Sequence, residues 1–135
     1  MDGIGGDEVT QPHDTVSPEE AFGTLSEEQL RRLAVEAAQN RGWLVDYHDT
    51  NAPTYQSING IRRKLRSMGV PGRPDLILIR ERVVWVELKT NKGRLTEYQK
   101  AFRDALVNAG QEYHLIRPRD WEKFIEILDS TEALT

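Results

Sequence analysis

Gly72-Arg73-Pro74-Asp75-Leu76-Ile77-Leu78-Ile79, then Arg80-Glu81-Arg82, then Val83-Val84-Trp85-Val86-Glu87-Leu88-Lys89 is the stretch that organises this chain. Two runs of aliphatic and β-branched residues joined by three charged ones predict a β-hairpin. Successive side chains of a strand point to opposite faces, so Glu87 and Lys89 share one face and Leu88 takes the other. Register decides whether Asp75 joins them. A two-residue turn at Glu81-Arg82 pairs Arg80 with Val83 and sets Asp75 across from Leu88. A three-residue connection through Arg80-Glu81-Arg82 pairs Ile79 with Val83 and sets Asp75 across from Glu87. Only the second register gathers Asp75, Glu87 and Lys89 at one end of one face.

Upstream, Ser26-Glu27-Glu28-Gln29 is a capping-box pattern that opens a helix, with Leu30, Leu33, Ala34, Ala37 and Ala38 on one face and Gly42 closing it. Trp43 to His48 predicts a short strand with Trp43, Val45 and Tyr47 on one side. Residues 49–72 form a basic insertion, in which the spacing of Ile58, Ile61, Leu65 and Met68 predicts a short helix. Downstream, Thr96-Glu97-Tyr98-Gln99 repeats the capping box. Its helix carries Tyr98, Ala101, Phe102, Ala105, Leu106 and Ala109 on one face and ends at Gly110. Glu112 to Ile116 is another strand, stopped by Pro118. Asp120 is placed to cap a last helix with Trp121, Phe124, Ile125 and Leu128 inward. Trp43, Trp85 and Trp121 are read as core. The order is αβ(α)ββαβα, an α/β domain.

With 135 residues the chain is one domain's worth. The absence of cysteine excludes a disulfide scaffold, a Cys-based zinc site and a thiol nucleophile. No apolar run approaches the roughly 20 residues that span a bilayer, and Met1-Asp2-Gly3 lacks the basic start of a signal peptide. The expectation is a soluble cytoplasmic protein without membrane contact. The net charge of -4 conceals two unlike parts. Residues 1–25 hold six acids and no Lys or Arg, which predicts a disordered acidic tail. Residues 26–135 hold 18 bases against 16 acids, and Arg62, Arg63, Lys64, Arg66 and Arg73 cluster without an acid among them. Polyanion binding is therefore allowed locally. Residues 26–130 are read as the folded domain and 131–135 as a C-terminal tail.

Two carboxylates and an ammonium at the end of one strand face have a recognisable use. The carboxylates can hold a hard divalent cation, magnesium first and manganese as its substitute. The lysine can steady an attacking water or developing negative charge. The alternative is a surface salt bridge on an amphipathic hairpin. His13, His48 and His114 are scattered and form no ligand cluster.

Gly72-Arg73-Pro74-Asp75 followed by Glu87-Leu88-Lys89 resembles the signature of the PD-(D/E)XK nuclease superfamily. More narrowly, Glu87-Leu88-Lys89-Thr90 with Lys92-Gly93-Arg94-Leu95-Thr96 and Gln99 resembles the VRR-NUC branch. Arg117-Pro118-Arg119-Asp120-Trp121 resembles the end of small phage and bacterial VRR-NUC proteins, and Gly42-Trp43 their first strand. The resemblance spans residues 26–128 and implies a restriction-endonuclease-like core of order αβββαβα around a mixed sheet. It departs at residues 49–71, longer and more basic than the family pattern. It implies Asp75 and Glu87 as metal ligands and Lys89 as the catalytic lysine. A glutamate of the first helix often completes such a site. Among Glu27, Glu28 and Glu36, Glu27 lies on the flank of the Leu30/Ala34 stripe and is chosen, although a first-turn acid also suits the helix dipole. Gln99 matches the family's glutamine near the metal or a phosphate, and it is also the third-residue partner of the Thr96 capping box. Lys92 and Arg94 are placed to touch DNA phosphates.

The resulting expectation is a magnesium-dependent DNA endonuclease, in a bacterial or phage-infected cell, acting as a homodimer on branched DNA such as a Holliday junction or flap. The helix of Trp121, Phe124, Ile125 and Leu128 is open to two roles, a partner face or core, which the sequence supports equally. The rivals are a nicking or restriction-like nuclease on linear duplex and a non-catalytic nucleic-acid-binding module on the same fold.

Overall fold

A computed structural model describes residues 22–47, 54–65 and 70–134. The elements are α1 (Glu27–Gln39), β1 (Leu44–Tyr47), β2 (Thr54–Ile58), β3 (Ile61–Leu65), β4 (Leu76–Ile79), β5 (Val83–Leu88), α2 (Glu97–Asn108), β6 (Glu112–Ile116), a 3-10 turn at Pro118–Asp120, and α3 (Trp121–Asp129). The molecule is mixed α/β. A four-stranded sheet in the order β1-β4-β5-β6 carries the domain, and β2 and β3 form a separate two-stranded sheet. Strands β1, β4 and β5 pair antiparallel, and β6 runs parallel to β5 after the α2 crossover.

Both capping boxes close as the spacing requires. Ser26 Oγ accepts from Gln29 N at 3.1 Å while Ser26 N donates to Gln29 Oε1 at 2.9 Å. Thr96 and Gln99 make the same reciprocal pair. Each box satisfies two of the orphan donors around a helix start. Helix α1 then buries Leu30, Ala34, Ala37 and Ala38, and α3 buries Phe124, Ile127 and Leu128. Both stripes meet Leu76, Leu78, Val84, Val86, Leu88 and Ile116 from one face of the sheet, which is where the core lies. Helix α2 covers the opposite face, with Phe102 against Trp85 at a ring separation of 6.3 Å.

The β4–β5 ladder takes the three-residue register: Ile79 pairs with Val83 and Leu76 with Val86. Arg80 and Arg82 anchor that connection. Their guanidinium groups lie 4.3 and 5.2 Å from the Trp43 ring centroid. Arg80 donates to the carbonyls of Arg41 and Ser130, and Arg82 to those of Ser130 and Ile127. The end carbonyls of α3 thus receive cationic donors, as a helix C-terminus favours. Trp43 Nε1 adds a bond to Leu128 O at 3.0 Å.

Several expectations change. Over the described part of the insertion no helix forms. Ile58 pairs with Ile61 around Asn59-Gly60, where φ is 52° and 79°. Both central residues are left-handed, as a two-residue type I′ turn demands, and Asn-Gly supplies this at little strain. That local signal outranks the helical spacing of Ile58, Ile61 and Leu65; Met68 lies outside the described residues. Most of the expected acidic tail, residues 1–21, also lies outside them. Its last part is placed: Phe22 meets Trp121 edge-on at 5.4 Å, so order begins before Ser26. At the other terminus Leu134 packs on the core and its N–H reaches Glu112 Oε2 at 3.4 Å, so 131–134 are not a loose tail. Asp120 does not cap α3 by its side chain but accepts from Arg117 N at 2.9 Å, because the 3-10 turn intervenes. Tyr47 is exposed while Trp43 and Val45 turn inward. No helix among the described residues is long and apolar enough to cross a membrane.

Candidate active site

The register places Asp75, one residue before β4, beside Glu87 on the face away from the core. Asp75 Oδ2 accepts from Leu88 N at 2.8 Å, which ties the carboxylate to the end of β5. Glu87 is 1% exposed and Lys89 8%. Neither has an ion pair with a described residue, although Lys89 N continues the ladder by donating to Ile116 O at 3.1 Å. A buried carboxylate without a bound countercharge disfavours its charged form. Burial, then the charge of Asp75 and a hydrogen bond shared with it, push the Glu87 carboxyl from 4.5 up to about 9, and Lys89 only partly offsets them.

Gln99 reaches Glu87 from the first turn of α2. Its Oε1 accepts from Thr96 N at 2.8 Å and its Nε2 donates to Glu87 Oε2 at 3.3 Å. The capping role is realised, and the free amide end also meets Glu87. The cap claims the carbonyl end, and this obliges the amide end to face the carboxylate.

Gly72 permits this approach. It has φ of +90°, and a Cβ there would collide with Tyr98 O and lie 2.8 Å from Gln99 N. Only a glycine lets the segment leading to Asp75 pass directly over the start of α2. The loop after Lys89 is held from β6: Arg117 Nη1 donates to Thr90 O at 2.7 Å and to Gly93 O at 2.6 Å. Gly93 in turn sits against Lys89, with a Cβ position 3.4 Å from Lys89 Cδ. Arg117 braces the lysine's loop, a role no spacing in the chain announces, since it depends on β6 lying parallel to β5.

Of the three helix acids, Glu27 is the one whose charge acts on Glu87, raising its carboxyl further. Glu28 and Glu36 instead line a groove of about 330 Å³ with Arg32 and Tyr47. Glu27 itself is exposed. Among the described residues no three His, Asp or Glu side chains form a ready-made metal group. Asp75 and Glu87 are two adjacent carboxyl groups whose oxygens fit a hard cation, which would favour the ionised form of Glu87 that burial and Asp75 disfavour.

The expected DNA contacts are more dispersed. Arg62, Arg63 and Lys64 lie on β3, where only the backbone is described, and Arg66 lies outside the described residues. Arg73 is paired with Asp46 at 2.7 Å, an exposed ion pair of the kind that exchanges easily. Lys92 and Arg94 are exposed on the loop after Lys89 and pair with no described residue.

The raised Glu87 carboxyl has a measurable consequence. Below about pH 4 the group is protonated in folded and unfolded chains alike. As pH climbs toward the folded value of about 9, the unfolded chain ionises first, so the metal-free protein loses stability across this window. Glu87→Gln cannot ionise and removes this contribution. Urea unfolding in chelator at about pH 5 and about pH 8.5 should show the variant gaining on the wild type as pH rises. A constant difference between the two proteins would contradict the assigned environment of Glu87.

No protein-family model, curated protein or solved structure matches this chain.

Proposed function

We propose that this protein is a metal-dependent DNA endonuclease of the PD-(D/E)XK type, close in pattern to VRR-NUC nucleases, that hydrolyses phosphodiester bonds in branched DNA. The observation that carries the reading is the meeting of Asp75 and Glu87 at one end of the β4–β5 hairpin, with Lys89 next on the same face and Gln99 donating to Glu87. The element order agrees with it: with the β2–β3 hairpin set aside, it is αβββαβα around a mixed sheet.

Asp75 and Glu87 would hold magnesium or manganese, with Glu27 as the third acid from α1. When bound, the cation supplies Lewis-acid polarisation of the phosphoryl oxygen and a water of lowered pKa. Lys89 offers a cationic donor to the negative charge that develops as water attacks. Gln99 orients Glu87 through the hydrogen bond from its Nε2. Arg117 keeps the Lys89 loop in place through two carbonyls.

The basic residues near the site would face phosphates, so the recognition proposed is of backbone and shape. Lys92, Arg94 and the basic β3 segment supply charge for phosphates. Resolving a junction needs two opposed nicks, which a two-fold dimer provides. Of the two roles open to the α3 stripe it takes the core one: Phe124 and Leu128 are buried, and Trp121 and Ile125 pack against them.

The experiment is incubation with a labelled four-way junction, a flap and a matched linear duplex, with magnesium or chelator. Cleavage should need the metal and favour branched DNA. Lys89→Ala should reduce it by at least about a hundredfold while the protein stays folded, and wild-type rates in that variant would refute the assignment. DNA binding without cleavage by the wild type would leave only a binding module.

Gln99 allows a separate check. Glutamate also serves at the third position of a capping box, so Gln99→Glu should melt within a few degrees of the wild type. Its added carboxylate beside Glu87 should nevertheless reduce cleavage by about tenfold or more. Full activity in this variant would show that the amide acts only as a cap.

A further inference from the structure

Strand β6 contributes one group that neither the core nor the site described so far uses. Tyr113 pairs with Trp85 across the parallel β5–β6 ladder, and Glu87 pairs with Leu115. Because side chains alternate along each strand, Tyr113 stands on the Glu87 face, beneath α2. Its hydroxyl oxygen is fully buried and has no hydrogen-bond partner among the described residues. Native structures rarely leave such a group unpaired, since burial strips its water and returns nothing. A phenylalanine would fill the same space without this cost. The hydroxyl therefore calls for an acceptor.

The carboxylates that act on it are Glu87 and Asp75 of the site and, more weakly, Asp104 of α2. Burial pushes the Tyr113 phenol above its usual value, and the charges of Glu87 and then Asp75 push it further against the opposing pull of Arg103. The phenol is consequently a neutral donor at any physiological pH. Gln99 meets Glu87 at Oε2, and a carboxylate accepts more than one hydrogen bond.

We infer that Tyr113 is a positioning residue of the carboxylate site, whose buried hydroxyl donates to Glu87, directly or through one trapped water, when Asp75 and Glu87 hold a divalent cation. The inference rests on the reading of this site as a metal centre. Tyr113 would then fix Glu87 from the sheet side as Gln99 fixes it from the helix side. Partners of this kind orient a ligating carboxylate and strengthen its hold on the metal.

The test is Tyr113→Phe in the full chain, with magnesium and manganese binding measured by titration calorimetry and thermal melting measured in chelator. Metal affinity should fall by about tenfold. The metal-free melting temperature should stay level or rise, because an unpaired buried hydroxyl has been removed. Affinity within about twofold of the wild type would overturn the inference. So would a loss of affinity accompanied by a lower metal-free melting temperature, which marks a structural role. The parent reading fails in a different place: a wild-type protein that binds no divalent cation, or binds it equally after Glu87→Gln, removes the metal centre and this inference with it.

Discussion

A slip of one residue between β4 and β5 would carry Asp75 from Glu87 to Leu88, and the anchored Arg80-Glu81-Arg82 connection is what forbids it. Arg80 and Arg82 stack on Trp43 and donate to carbonyls at the ends of α1 and α3, so the turn cannot shorten without releasing both helix ends. The same slip would rotate Leu76 and Leu78 out of the core, at about 1.5–3 kcal/mol for each side chain. Packing and capping at one end of the hairpin thereby fix where the carboxylates stand at the other.

The two ends treat glutamate in opposite ways. At the anchored end Glu112 is partly buried, with its side chain mostly covered, which alone would raise its carboxyl. Hydrogen bonds from Arg82 at 2.7 Å and with His114 at 2.8 Å outweigh this and hold it below the usual value. That cluster is satisfied and structural. At the open end Glu87 is buried beside Asp75 with an amide for company, and its carboxyl is pushed up. The contrast separates a carboxylate whose charge the fold satisfies from one whose charge it leaves disfavoured, the pattern the proposed metal centre would use.

Much of this could be read along the chain because the deciding signals are local. The capping boxes at Ser26 and Thr96 depend on residues three apart. The alternation of Glu87, Leu88 and Lys89 is a property of any strand. The hairpin register was open between two alternatives, and tertiary contacts of Arg80 and Arg82 selected one. The Asn59-Gly60 turn was also a local signal, but the spacing of apolar residues around it pointed to a helix and misled. Arg117, Gly72 and Tyr113 could not be assigned in the same way. Their roles arise from the parallel β5–β6 pairing and from the passage of Gly72 over α2, neither of which any short pattern specifies. The apolar stripe of α2 shows the limit of periodicity from the other side: Leu106 is buried while Tyr98 is mostly exposed. Periodicity marks a face and leaves open what covers it.

The central claim is that the β4–β5 register builds a divalent-cation site between Asp75 and Glu87. Paramagnetic broadening by manganese, read on the backbone amide of Leu88 and the side-chain amide of Gln99 in isotope-labelled protein, tests it most directly. Both groups are bonded to the carboxylates in question. Substoichiometric manganese is expected to broaden these two signals selectively, and excess magnesium to restore them. Unbroadened signals at Leu88 and Gln99, with broadening confined to acids elsewhere on the surface, would contradict it.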